Sequence, residues 1–84
     1  MNRSAIDRDY PHQVSLPAEA SRGGDFVTIQ LFCEGLSLCP RGYSFRRGDR
    51  YFIAFCFADR EHAERFRVRF AGEMIDPANR PRWP

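Results

Sequence analysis

The chain has 84 residues, of which 43% are hydrophobic and 14% aromatic, and its formal net charge is +2. A domain of this length buries only about 60% of the surface of its unfolded chain, so a second chain that contributed core would add stability. Eight phenylalanines exclude disorder throughout, and the small net charge does not predict strong electrostatic capture of nucleic acid.

The N-terminal part of the chain predicts an arm and one short strand. Residues 1–10 are polar and charged without periodicity, which is typical of a flexible N-terminal arm. Residues 12–16 alternate between an apolar face and a polar face formed by Gln13 and Ser15. We expect Pro17 to end this strand, because proline cannot donate to a strand ladder.

Residues 26–38 fit two kinds of secondary structure. Val27, Ile29 and Leu31 alternate as in a strand, and their β propensity favours that interpretation. The apolar residues also form a stripe along one side of a helical wheel, and Asp25 stands where it would cap a helix. We therefore prefer a helix, with the strand kept as the alternative.

Residues 43–47 and 50–57 flank Gly48 and Asp49, which predicts an antiparallel hairpin with a positive φ at the glycine. The second of these strands is apolar on both faces. It is expected to lie centrally, with helices on one side and a tail, a second subunit or another partner on the other.

The period of the apolar residues changes from strand to helix at Asp59, which is the expected N-cap of a helix ending at Gly72. Residues 73–76 predict a brief edge strand. Residues 77–84 form a tail rich in proline and arginine.

This order of elements predicts an α+β fold, a two-layer ferredoxin-like βαββαβ sandwich. Two helices would pack on one face of an antiparallel sheet and leave the other face bare. The single domain is expected to cover residues 11–76, between the arm at 1–10 and the tail at 77–84.

Two resemblances accompany this pattern. In the element order and in Tyr51 to Phe70, the chain resembles short ferredoxin-like proteins of GC-rich bacteria, which implies a fold but no activity. Locally, Arg50, Phe52 and Phe57 match positions of the third strand of RNA recognition motifs. Tyr51 stands in place of that motif's glycine, and Ala54 in place of its second exposed aromatic residue.

The helix-free sheet face is the predicted binding surface, because large exposed apolar patches mark interfaces. Its predicted contact residues are Phe52, Ala54, Cys56, Gln13 and Ser15. We expect a small non-enzymatic association or binding domain, acting as a homodimer or with a protein partner. The alternative is that the arm or the tail covers this face, with Trp83 resting on Phe52.

A second hypothesis is binding of RNA or another nucleic acid, with Phe52 stacking on bases. The cations available for the phosphates are Arg46, Arg47, Arg50, Arg65 and Arg69. Glu61 and Glu64 are spaced to pair with helix arginines, which weakens this hypothesis.

The sequence predicts no catalytic residue, no metal site and no cofactor. Cys33 and Cys56 lie in apolar stretches, where cysteine acts as a small hydrophobic residue. Cys39 differs, since a loop position next to Arg41 would expose and activate its thiol. The odd number of cysteines and the lack of a membrane-spanning apolar run predict a reduced, cytoplasmic protein.

Overall fold

The computed structural model describes residues 2–76; Met1 and the predicted tail at 77–84, with Trp83, lie outside the described residues. In chain order the elements are helix α1 (Arg3–Asp9), strand β1 (His12–Pro17), a 3-10 helix (Ala18–Ser21), helix α2 (Gly24–Phe32), strands β2 (Tyr43–Arg47) and β3 (Arg50–Phe57), helix α3 (Arg60–Phe70) and strand β4 (Glu73–Ile75).

The four strands form one antiparallel sheet in the order β2-β3-β1-β4. β3 pairs with β1 along its apolar half and with β2 through the hairpin, whereas β4 pairs with β1 over three residues only. The predicted α+β class and the central position of β3 are therefore confirmed, and β1 is the second central strand. The turn of the hairpin has the expected positive φ, +64° at Gly48.

Helices α2 and α3 pack on one face of the sheet around Phe66, which is fully buried. The centroid of the Phe66 ring lies 5.0 Å from that of Phe55, 5.3 Å from that of Phe57 and 4.9 Å from that of Phe70. Truncation of such a hub to alanine typically costs about 3 to 5 kcal/mol, so this cluster anchors α3 to the sheet.

The opposite face of the sheet is not bare. Helix α1 lies over it, and Ile6 is buried in a second apolar cluster with Phe45, Ala54, Cys56 and other residues of that face. The flexible arm expected at residues 1–10 is thus corrected to a docked helix. The helices occupy both faces of the sheet rather than one.

Local capping explains why this short segment is helical. The side chain of Asn2 accepts a 2.8 Å hydrogen bond from the backbone N–H of Ala5, which satisfies one of the donors at the start of the helix. At the other end, the N–H of Tyr10 donates to the carbonyl of Ile6. Only one side chain of α1, that of Ile6, is buried. The segment therefore lacks the repeat of apolar residues by which a sequence pattern indicates a helix.

The ambiguous segment is a helix, as preferred, but its limits differ from the prediction. It ends at Phe32, and residues 33–42 form a loop in which Leu38 bridges to Phe57. Gly23, with φ of +57°, is the N-cap, so the expected cap by Asp25 is wrong. Asp25 lies in the first turn instead, where a negative charge suits the helix dipole.

Helix α3 begins as predicted. The side chain of Asp59 accepts a 2.8 Å hydrogen bond from the N–H of Glu61. The helix ends at Phe70, because Ala71, before the expected stop at Gly72, adopts the left-handed conformation with φ of 55°.

Candidate functional site

The covered sheet face contains a buried polar network centred on Gln13. The Tyr43 hydroxyl donates a 2.6 Å hydrogen bond to Oε1 of Gln13, and Nε2 of Gln13 donates to Oδ1 of Asp7 at 2.9 Å and to the carbonyl of Tyr10 at 3.3 Å. Since a buried amide is costly unless it is bonded, this network fixes α1 on β1 and β2.

Four of the five predicted contact residues are consequently hidden. Gln13, Ser15, Ala54 and Cys56 are buried, and only Phe52 remains half-buried. The predicted open binding surface on this face is therefore corrected: the chain covers it with its own N-terminal helix, which is the arm alternative.

Two hairpin arginines lie beside Phe52. The guanidinium carbons of Arg47 and Arg50 are 5.7 and 5.5 Å from the centroid of its ring. Each also approaches a carboxylate, since Arg47 is 3.5 Å from Glu73 and Arg50 is 2.9 Å from Glu19. Both arginines therefore have an acidic partner, although both ion pairs are largely exposed to solvent.

The other three arginines of the nucleic-acid hypothesis lie elsewhere. Arg46 alternates with its neighbours in β2 and so projects toward the side of α2 and α3. Arg65 and Arg69 belong to α3, and Arg65 pairs with Glu61 at 2.6 Å. The structure thus divides the predicted cationic set between the two faces of the sheet.

The outer surface of the helix layer carries exposed apolar side chains that the sequence analysis did not select. Helix α2 is apolar around most of its circumference, but within it only Ile29 is fully buried. Val27 is 56% exposed and Leu31 is 61% exposed, one helical turn apart. A helix with so few polar positions is normally buried, but among residues 2–76 nothing covers this face.

A shallow apolar groove lies on the same layer. Phe32 of α2 and Val68 of α3 line it, and Val68 is 70% exposed. Its rim is charged and contains Glu61, Glu64, Arg65 and Arg69.

A cleft of about 650 Å³ lies beside α2, at the β2 edge of the sheet. Its floor consists of core side chains such as Cys33 and Phe55, and the loop at 33–42 forms one wall. This volume falls within the range of small-molecule sites, about 300 to 1,000 Å³. Sequence patterns did not reveal the cleft, because α2 and the loop that follows it meet β2 and β3 only in the folded chain.

The thiols are placed differently from the prediction in one respect. Cys39 is only 3% exposed, so its expected exposure in the loop is wrong; its N–H donates a 2.7 Å hydrogen bond to the carbonyl of Cys56. Cys33 and Cys56 are buried, as expected of small hydrophobic residues. Burial raises the pKa of the Cys33 thiol to about 11, so this sulfur is protonated at neutral pH.

His62 meets Ser37 at the start of α3. The N–H of Ser37 donates to Nδ1 of His62 at 3.0 Å, and Oγ of Ser37 accepts from the N–H of Asp59 at 2.9 Å. Nδ1 is therefore an acceptor. These bonds tie the loop at 33–42 to the N-terminus of α3, where His62 is half-buried.

Within residues 2–76, no three histidine, cysteine or acidic side chains come together as metal ligands. In the same part of the chain, no helix has the length and apolar character needed to cross a bilayer. No family model, no curated protein and no solved structure matches this chain.

Proposed function

We propose that this chain is a non-enzymatic association domain that pairs with a second copy of itself through the outward face of α2. The observation that carries the proposal is the exposure of Val27 and Leu31 on a helix with few polar positions. Contiguous exposed apolar surface on a small domain marks an interface.

A second copy is the favoured occupant because this layer is self-complementary. Leu31 protrudes from α2, and the groove between Phe32 and Val68 lies on the same layer, so a two-fold axis would place each leucine against the groove of the other copy. The rim of the groove contains both acidic and basic side chains, so its charge does not oppose the approach of an identical surface. Helix α2 contains no basic residue, so it offers a strongly anionic partner no cation to bind.

We also propose that the fold is a ferredoxin-like sandwich to which α1 has been added. The strand order β2-β3-β1-β4, with every neighbouring pair antiparallel, supports it. In that arrangement α2 and α3 form the expected helix layer, and α1 occupies the other face.

Sedimentation equilibrium tests the association. We expect the unmodified chain to have twice the mass of one chain, and Leu31→Lys to be a folded monomer by circular dichroism and sedimentation. Tyr51→Lys is the matched control, since Tyr51 is 58% exposed but lies on β3, and it should remain a dimer. A monomeric unmodified chain, or a dimer unaffected by Leu31→Lys, would refute the proposal.

The earlier hypothesis of pairing through the sheet face is tested by the same measurement. Phe52→Glu places a charge on that face and should leave the mass unchanged. Dissociation by Phe52→Glu but not by Leu31→Lys would assign the contact to the sheet face.

Nucleic-acid binding is the alternative function, favoured by the position of Arg47 and Arg50 around the half-buried ring of Phe52. Its test is fluorescence anisotropy with a single-stranded oligouridine at two salt concentrations. Binding that weakens with salt and is lost in Phe52→Ala would support this alternative.

A further inference from the structure

We propose that the cleft beside α2 binds a compact apolar amine. This site is independent of the proposed association face, because Phe26 and Gln30 line the cleft whereas Val27 and Leu31 point outward from the same helix.

The apolar wall of the cleft favours a ligand with an apolar group. Phe26, Leu36, Leu38 and Ile53 line it, and all four retain some exposure to solvent. A ligand that covered these side chains would gain roughly 25 cal/mol for each square ångström of apolar surface removed from water. Aromatic or branched aliphatic groups meet that requirement.

The charge at the cleft selects a cation. Four of the five glutamates pair with arginines, in the pairs Glu19–Arg50, Glu61–Arg65, Glu64–Arg67 and Glu73–Arg47. Glu34, which lines the cleft, is the fifth, and it forms no such pair within residues 2–76. Although the chain has 13 arginines, none of those described lines the cleft.

Two further polar side chains line the cleft. Gln30 of α2 precedes Glu34 by four residues, and Ser44 belongs to β2. Oxygen atoms of these side chains can accept hydrogen bonds from an ammonium group whose charge is balanced by Glu34. An anionic ligand would instead meet an uncompensated carboxylate, so the site discriminates by the sign of the ligand's charge.

Three probes that share one ring system test this inference: 1-naphthylmethylamine, 1-naphthalenemethanol and 1-naphthoate. Each is titrated into the nitrogen-15-labelled chain at low salt, and amide shifts are followed by NMR. The amine should bind at least about fivefold more tightly than the carboxylate, as expected of one partly exposed ion pair. The shifts should map to α2, the loop at 33–42 and β2.

Two variants make the result specific. Glu34→Gln should reduce the affinity for the amine to that for the alcohol and leave alcohol binding unchanged. Ser44→Trp, at an exposed position of β2, should fill the cleft and remove binding of all three probes. Absence of amine binding, carboxylate binding as tight as amine binding, or shifts confined to another surface would overturn the inference.

The Leu31→Lys monomer separates the two proposals. If it binds the amine as the unmodified chain does, the cleft functions without the second copy. If it loses the amine while its spectrum remains that of a folded chain, the proposed independence of the cleft is wrong.

Discussion

The hydroxyl of Tyr43 on β2 reaches across the intervening strand β3 and donates a 2.6 Å hydrogen bond to the amide oxygen of Gln13 on β1. Ala54 of β3 is the register partner of Tyr43, and its small side chain leaves the space through which the ring passes. The same amide group of Gln13 holds Asp7 of α1, so one side chain joins three elements.

This arrangement predicts strong coupling between Gln13 and Tyr43. Gln13→Leu should lower the free energy of unfolding by about 2 kcal/mol, because it leaves buried polar partners without their bond. Tyr43→Phe should cost about 1 kcal/mol. In urea denaturation, the double variant should cost clearly less than the sum of the two. Additive effects would show that the bond does not contribute to stability.

Helix α1 should control access to Cys56. Ile6 is the buried aliphatic contact of this short helix, so Ile6→Asp should release it and increase the rate at which iodoacetamide labels Cys56 by about tenfold or more. The rate is measured by mass spectrometry of the digested protein, with Cys33 as an internal reference on the other side of the sheet. Ser4→Asp, at an exposed position of α1, is the control and should leave the rate unchanged.

The raised pKa of Cys33 predicts a loss of stability in alkaline solution. The folded chain keeps this thiol protonated up to about pH 11, whereas the unfolded chain loses the proton near the ordinary value of 9.0. The contribution of the protonated Cys33 thiol to the free energy of unfolding is therefore complete below pH 9 and decreases as the pH rises toward 11. The stability difference between the unmodified chain and Cys33→Ala, measured under reducing conditions, should narrow over this range. A constant difference would contradict the prediction.

Two glycines are expected to differ in their tolerance of alanine. A Cβ at Gly72 would lie 2.6 Å from Cγ1 of Val14 and 2.9 Å from the carbonyl oxygen of Ser15, so Gly72→Ala should cost about 2 kcal/mol or more. At Gly24, in the first turn of α2, a Cβ meets nothing within 4 Å. Gly24→Ala should be neutral or stabilise the chain slightly, and thermal unfolding of both variants compares them.

The sequence predicted the elements whose signals are local. The change of period at Asp59 and the turn at Gly48 identified α3 and the hairpin, because capping and turn geometry depend on adjacent residues. The double apolar character of β3 also indicated correctly that protein covers both of its faces. The sequence did not predict which segment covers the second face. The signals for α1 are limited to the capping residue Asn2 and the buried residue Ile6.

The candidate sites were harder to predict for a physical reason. A strand pattern identifies which residues share a face, so Gln13, Ala54 and Cys56 were correctly grouped, but it does not show whether another element lies above them. The cleft and the exposed face of α2 both depend on where α2 and the loop at 33–42 lie on the sheet. The helix's own period does not show this, since the loop is held by distant contacts such as the bridge between Leu38 and Phe57.

The position of β1 has a consequence for biosynthesis. This strand is made early but lies between β3 and β4, and Gln13 pairs with Ile75 at the far end of the described chain. Strand β4, its second neighbour, can pair with β1 only after residues 73–75 have left the ribosome. Until β4 emerges, the edge of β1 that pairs with it stays open to other strands, an interval in which protection by chaperones would matter most.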